Sequence, residues 1–265
     1  MRELAQREGL FGPIRVLERK SDGARLYCIK NSVQTMMLPD GVSAFGYVHA
    51  AKLLLASAKS VLIIGGAGGS LATMMARRGC RVTVVDIDPV AEELARQFFD
   101  LPANVEWLTT EPLSFIADLR RRFDAVVVDA CDAEGLARPF NEPHVLAAIA
   151  ERACPTGSLV LNLVHEDGAP PWGPVLATRL AARGLCATLY RSEEGWEGNE
   201  LLHVSVSRAP SILDLGDLLD RPAEVRTYLS SLRSHTPLSA LPMAEGVGFE
   251  PTVDLHPRRF SRPVP

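Results

Sequence analysis

The sequence predicts a doubly wound, mostly parallel α/β sheet with a small antiparallel β-subdomain at its N-terminus. Three observations predict it. From Ser60 onward, apolar runs alternate with stretches of helical spacing, the order of a chain of βαβ units. Runs such as AVVVD (125–129) and SLVLNLV (158–164) are apolar without alternation, as expected of strands covered on both faces. Residues 14–38 instead break into short runs separated by turn-formers, the pattern of hairpins.

The elements follow in order. Ile14–Glu18, Arg25–Ile29 and Val33–Met37 read as strands, divided by Ser21-Asp22-Gly23 and Asn31-Ser32. Tyr47 to Ala58 has helical spacing and ends at Lys59-Ser60. Strands are then expected over 60–65, 81–86, 105–109, 124–129, 157–163, 186–190 and 201–207, from their β-branched and apolar content. Helices are expected near 70–78, 89–99, 111–121 and 142–152, and another near 173–183 ahead of Cys186. The last two strands flank the polar, turn-rich EEGWEGNE, which fits a hairpin at the sheet edge with an antiparallel final strand.

Residues 211–234 read as one or two short helices. After Pro237 come Pro242, Pro251, Pro257, Pro263 and Pro265 with little periodicity, which predicts a disordered tail. The organisation expected is thus an N-terminal β-subdomain with its linking helix (1–58), a nucleoside-binding domain (59–209), a C-terminal helical segment (210–236) and the tail (237–265). The tail, AEGVGFEPTVDLHPRRFSRPVP, also resembles the antisense translation of a tRNA gene. The conserved T-arm read on its opposite strand encodes Gly-Phe-Glu-Pro, found here at Gly248–Pro251. The expectation is that the reading frame runs into a neighbouring tRNA gene.

Composition narrows the function classes. The chain has 265 residues, 47% of them apolar, enough for a sizeable core. A formal net charge of −4 gives no reason to expect a nucleic-acid partner, since phosphate binding needs a basic surface. Five cysteines without a CxxC pair argue against a disulfide framework or zinc site and for a reducing, cytoplasmic setting. The N-terminus lacks an apolar signal segment, and no apolar run approaches the ~20 residues of a membrane helix. The six histidines show no HxxxH or HExxH spacing, so no metal is expected. Trp172 and Trp196 fall in expected loops, where they either line a site or pack at its rim.

The residues that carry chemistry sit where the first βαβ unit turns. Gly65-Gly66-Ala67-Gly68-Gly69 follows a strand and opens a helix, so the backbone turns tightly and a ligand approaches without a β-carbon in the way. Asp86 ends the next strand, about 20 residues on, where a carboxylate accepts from ribose hydroxyls. Together they make a Rossmann-like, adenosine-type site. A dinucleotide is less expected, because Leu71 replaces the third glycine of GxGxxG. Glu111 follows the third strand of the sheet and either accepts from an adenine amino group or favours the helix that starts there through its macrodipole. Asp129 and Asp132, in AVVVDACDAEG, lie at the carboxyl end of the fourth. Two carboxylates there make a negative pocket for an amine or a sulfonium, or else loop acids capping 133–136.

These residues resemble the spermidine synthase (polyamine aminopropyltransferase) family, over roughly residues 14–207. The family's GGGDGG falls on GGAGGS at 65–70, its ribose acid on Asp86 within VVDIDP, its Gly-Asp-Gly turn on Thr110-Glu111-Pro112, and its Asp-Ser-Ser-Asp turn on Asp129-Ala130-Cys131-Asp132. A glutamine after its first hairpins matches Gln34, and a substrate-pocket tyrosine matches Tyr47. The resemblance implies the methyltransferase fold and decarboxylated S-adenosylmethionine as co-substrate, held by Gln34, Gly65, Gly66, Gly68, Asp86 and Glu111. It implies a small-molecule amine held by Tyr47 and Asp132, with Asp129 as the catalytic group that removes its proton. The family often dimerises through its N-terminal sheet and sheet edge, so the resemblance admits a homodimer, for which the sequence itself carries no decisive interface signal.

The chain departs from the family at four places. Gly68 stands where GGGDGG has its aspartate, the acidic pair ahead of the tyrosine falls on Ser43-Ala44, and the glutamate after it falls on His49. Each lost charge-assisted hydrogen bond is worth roughly 1.5–3 kcal/mol, which weighs against putrescine as acceptor. Two alternatives to aminopropyl transfer follow. One is a methyltransferase of the same fold using intact S-adenosylmethionine, favoured by Gly68. The other is a non-catalytic nucleoside-binding or scaffold protein.

Overall fold

The computed structural model describes residues 1–132, 135–164, 172–193, 198–205 and 221–235, with the backbone alone at 132, 135 and 172. Four antiparallel strands open the chain: β1 (Arg2–Gly9), β2 (Gly12–Glu18), β3 (Arg25–Ile29) and β4 (Ser32–Met37), paired in that order. The first of these was not expected. RELAQREG is largely polar and mostly exposed, so it carries no alternating apolar signal, and its pairing with β2 defines it. Where β3 meets β4, Tyr27 faces Thr35 but Cys28 faces Val33, leaving Gln34 as the extra residue of a bulge.

Helix α1 (Gly46–Leu54) then leads into β5 (Ser60–Ile64), α2 (Ser70–Arg77), β6 (Arg81–Asp86), α3 (Ala91–Phe98), β7 (Glu106–Thr109), α4 (Pro112–Asp118) and β8 (Ala125–Val128). A two-residue hairpin, β9 (Cys131–Asp132) with β10 (Gly135–Leu136), precedes α5 (Pro143–Ala153) and β11 (Ser158–Val164). The chain continues with α6 (Trp172–Ala181), β12 (Cys186–Ser192), β13 (Asn199–Ser205), α7 (Ala223–Ser230) and β14 (Leu232–His235). The eight-stranded sheet has the order β14-β12-β13-β11-β8-β5-β6-β7. Six strands run parallel, while β13 and β14 run against them.

The expected hairpin is present, but its second strand inserts between β11 and β12 rather than forming the edge. Residues 232–235, expected to be helical, form the outermost strand instead. The hairpin around 131–136 replaces the expected loop. The tail expected to be disordered (237–265), Trp196, the side chain of Trp172, residues 206–207 and the first part of the 211–234 segment lie outside the described residues.

β5 is buried along its whole length, as is β8, because helices cover both faces. One core gathers the inward faces of α1, α2 and α7, including Val61, Ile63, Val127, Met75 and Tyr228. The opposite core gathers Leu62, Ile64, Val126 and Val128 under α4, α5 and α6. A third joins the N-terminal sheet to α3 through Ile14, Val16, Tyr27, Leu94 and Phe99. That packing fixes the small sheet against the carboxyl ends of β5 and β6. No helix among the described residues is long and apolar enough to cross a membrane.

Candidate active site

The chain lays β6 and β7 on one side of β5 and then returns to lay β8 on the other. The crevice at such a reversal is where open α/β sheets bind ligands. The glycine turn after β5 and Asp129 after β8 meet there: the Asp129 amide donates to the Ile64 carbonyl at 2.8 Å. Gly65 has φ +86°, and a β-carbon on it would lie 2.5 Å from the Asp129 carbonyl oxygen. At Gly66 a β-carbon would lie 2.3 Å from the Trp107 ring. The first glycine is thus required by its dihedral and by close approach, the second by the indole packed against it.

Asp86 holds the turn in shape. Its Oδ2 accepts from the amides of Gly66 at 2.7 Å and Ala67 at 3.3 Å, and its Oδ1 accepts from Asp88 at 2.8 Å. A carboxylate oxygen accepts two hydrogen bonds, so Oδ1 retains a lone pair for a sugar hydroxyl. Asp88 ties the next layer: Oδ2 accepts from Leu10 at 2.8 Å, pinning the β1–β2 tip over this end of the sheet. The glycine cradle and the spare acceptor fit an adenosine-type nucleoside.

Asp129 is the centre of a polar network on the face covered by α1 and α7. Asn162 of β11 donates to Oδ1 at 2.7 Å, and Tyr47 of α1 reaches Oδ2 at 3.4 Å. Asn199 of β13 donates to the Asn162 side-chain carbonyl at 2.8 Å, and Tyr228 of α7 donates to the Asn199 backbone carbonyl at 3.1 Å. Phe45 stacks beside Tyr47 with ring centroids 5.8 Å apart. Loss of hydration raises the Asp129 carboxyl above the usual range, against the lowering effect of Asn162 and Tyr47. A carboxylate oriented by neutral donors and raised by burial has the properties of a general base. The asparagines were not singled out in the sequence, although Asn162 is the one polar residue between Leu159 and Val164.

The other expected site residues are placed as follows. Gln34 sits in the β4 bulge, its amide donating to Ser32 Oγ at 2.7 Å. Glu111 is the N-cap of α4, accepting from Leu113 at 3.0 Å and Ser114 at 2.7 Å. Burial raises its carboxyl, but these amides outweigh that and hold it below the usual range. Each oxygen caps the helix with one hydrogen bond and keeps a second lone pair. Asp132 ends β9, three positions past Asp129 and opposite Gly135; its side chain lies outside the described residues.

The departures have structural counterparts. The Gly68 amide donates to Thr35 Oγ1 at 3.1 Å. Ser43 is fully buried and His49 is 2% exposed, with His49 Nε2 on the Ser43 carbonyl at 2.8 Å. Burial pushes His49 down to about 4, so this corner is neutral and filled. Among the described residues no group of three or more His, Cys, Asp or Glu is placed to hold a metal ion.

Residues 47–160 match the model of the spermine/spermidine synthase domain. The spermine synthase of Saccharomyces cerevisiae is 25% identical over 170 residues, covering 55% of this chain and 57% of that protein. An eEF1A lysine and N-terminal methyltransferase homolog of Drosophila pseudoobscura pseudoobscura is 34% identical over 122 residues, covering 41% of this chain and 18% of that protein. The chain therefore spans little more than half of the first relative and under a fifth of the second. The crystal structure of a probable spermidine synthase from Corynebacterium glutamicum shares the fold with a TM-score of 0.68 at 16% identity, over 94% of this chain and 98% of that one.

Proposed function

We propose that the chain is a divergent member of the spermine/spermidine synthase family, whose domain model residues 47–160 match, and, from that premise, a transferase moving an alkyl group from a sulfonium nucleoside to an amine. The observation that carries the proposal is Asp129, oriented by Asn162 and Tyr47 at the sheet's switch point and packed against the glycine turn.

The nucleoside would lie over Gly65 and Gly66 with a ribose hydroxyl on Asp86 Oδ1. A sulfonium supplies an electrophilic carbon and a neutral leaving group. An alkylamine has a pKa near ~10.4, as for lysine, and is protonated at neutral pH. Asp129 accepts that proton, aided by a carboxyl more basic than usual. The freed nitrogen lone pair forms the C–N bond as the C–S bond breaks, its electron pair remaining on sulfur as a thioether. Holding both reactants in line at the crevice supplies much of the rate. Asp132, by its position, would add negative charge for the cationic pair.

Family membership supports the aminopropyl group of decarboxylated S-adenosylmethionine as the group moved. The buried, neutral Ser43–His49 corner offers no anion for a second ammonium, so the acceptor is read as a monoamine rather than a long polyamine. A second reading, intact S-adenosylmethionine as donor, is favoured by Gly68 and the threonine seated on it.

Titration of the purified protein with both nucleosides, followed by assay of thioether nucleoside release with a panel of amines, tests the proposal. Amine-dependent release from either nucleoside is expected; binding of neither would leave a scaffold protein.

A further inference from the structure

The glycine turn is closed at position 68 by a residue from the other sheet. The one-residue bulge at Gln34 changes which face the next residue of β4 presents, and Thr35 reaches the turn, 3% exposed. Its Oγ1 accepts from the Gly68 amide at 3.1 Å. A β-carbon at position 68 would lie 2.9 Å from Thr35 Cβ and Cγ2 and 3.0 Å from Oγ1. A buried β-branched side chain has little rotamer freedom with which to yield, so no side chain fits at 68 while Thr35 is present.

This has a chemical consequence for what the turn offers a ligand. No carboxylate can project from position 68, and the carboxylate that touches the turn, Asp86, points at the Gly66 and Ala67 amides. Having accepted from Gly68, the Thr35 hydroxyl still carries its own proton, which has no acceptor among the described residues. Helix α2 begins two residues later, and its own first turn carries no acid against the positive end of its dipole. The turn presents a hydroxyl donor beside the start of a helix. An ammonium finds no carboxylate projecting from position 68, whereas a carboxylate finds the Thr35 hydroxyl as donor.

We propose that Thr35 is a specificity-determining residue that makes the site prefer the sulfonium nucleoside retaining its amino-acid carboxylate over the decarboxylated one. This rests on the transferase reading above and decides between its two donors. It assigns to Thr35 the place that a side chain at position 68 would otherwise fill.

Calorimetric titration of the full chain with S-adenosylmethionine and with its decarboxylated form tests it. The wild type is expected to favour the intact nucleoside by about tenfold or more, the scale of a hydrogen bond to a charged group. Thr35→Val fills the same space without the hydroxyl, and is expected to lose most of that preference. Thr35→Gly combined with Gly68→Asp makes room for a carboxylate and is expected to reverse it. Equal or tighter binding of the decarboxylated form by wild type, or an unchanged ratio in folded Thr35→Val, would overturn the assignment. Binding of neither nucleoside by wild type would instead overturn the transferase reading, and this one with it.

Discussion

Asn162 donates its side-chain amide to Asp129 at 2.7 Å across the two neighbouring strands β11 and β8. This bond favours the ionised carboxylate and opposes the upward push of burial. A base works only when ionised, so activity should fall as pH falls through a pKa above the ordinary aspartate value. Asn162→Leu removes the donor and should move that acidic limb to still higher pH. The fall should be in kcat, with KM for the nucleoside little changed; pH–rate profiles of both proteins check this. Asn162→Gln should recover part of the wild-type profile, which a purely structural defect would not.

His49 and His203 are 2% and 1% exposed, and burial lowers both to about 4. The unfolded chain takes up these protons near ~6.5, so it binds more protons than the fold between the two values. Their contribution is fully present above about pH 6.5 and is lost as pH falls towards the folded value, on the order of 3 kcal/mol per histidine. Urea denaturation from pH 7 to 4.5 should show this loss, and His49→Gln should reduce its slope by about one proton.

Glu111 caps α4 with both oxygens. Glu111→Ala should cost about 1 kcal/mol of stability, and Glu111→Asp, a stronger N-cap type, should hold it. Equilibrium denaturation measures both.

Gly65→Ala places a methyl 2.5 Å from the Asp129 carbonyl oxygen at a φ of +86°. Left-handed strain costs roughly 1–2 kcal/mol, and relief of the clash must displace the turn or Asp129. Loss of stability together with loss of nucleoside affinity is expected by denaturation and calorimetry.

The parallel sheet was legible in the sequence because strands such as Ala125–Val128 are buried on both faces and so stay apolar throughout. β1 was not, because its stability comes from pairing with β2 and not from apolar alternation. β14 was missed for a related reason: LRSH has no strand pattern and is defined by its register with β12. At the site, Asp86 and Asp129 were legible because they end apolar runs at a fixed point of the fold. Thr35 was not, since its meeting with Gly68 depends on a bulge and on how two sheets pack. Glu111 was open to two readings in sequence, and the structure shows the helix cap that one of them expects.

In the proposed reaction Asp129 removes the proton of an amine attacking a sulfonium nucleoside. The most direct test of this role is amine-dependent release of the thioether nucleoside by wild type and Asp129→Asn, with nucleoside affinity measured in parallel. Release is expected from wild type, with a loss of about 100-fold or more in the variant, as for a general base, and nucleoside affinity nearly unchanged. Asp129→Asn turning over at the wild-type rate would contradict that role.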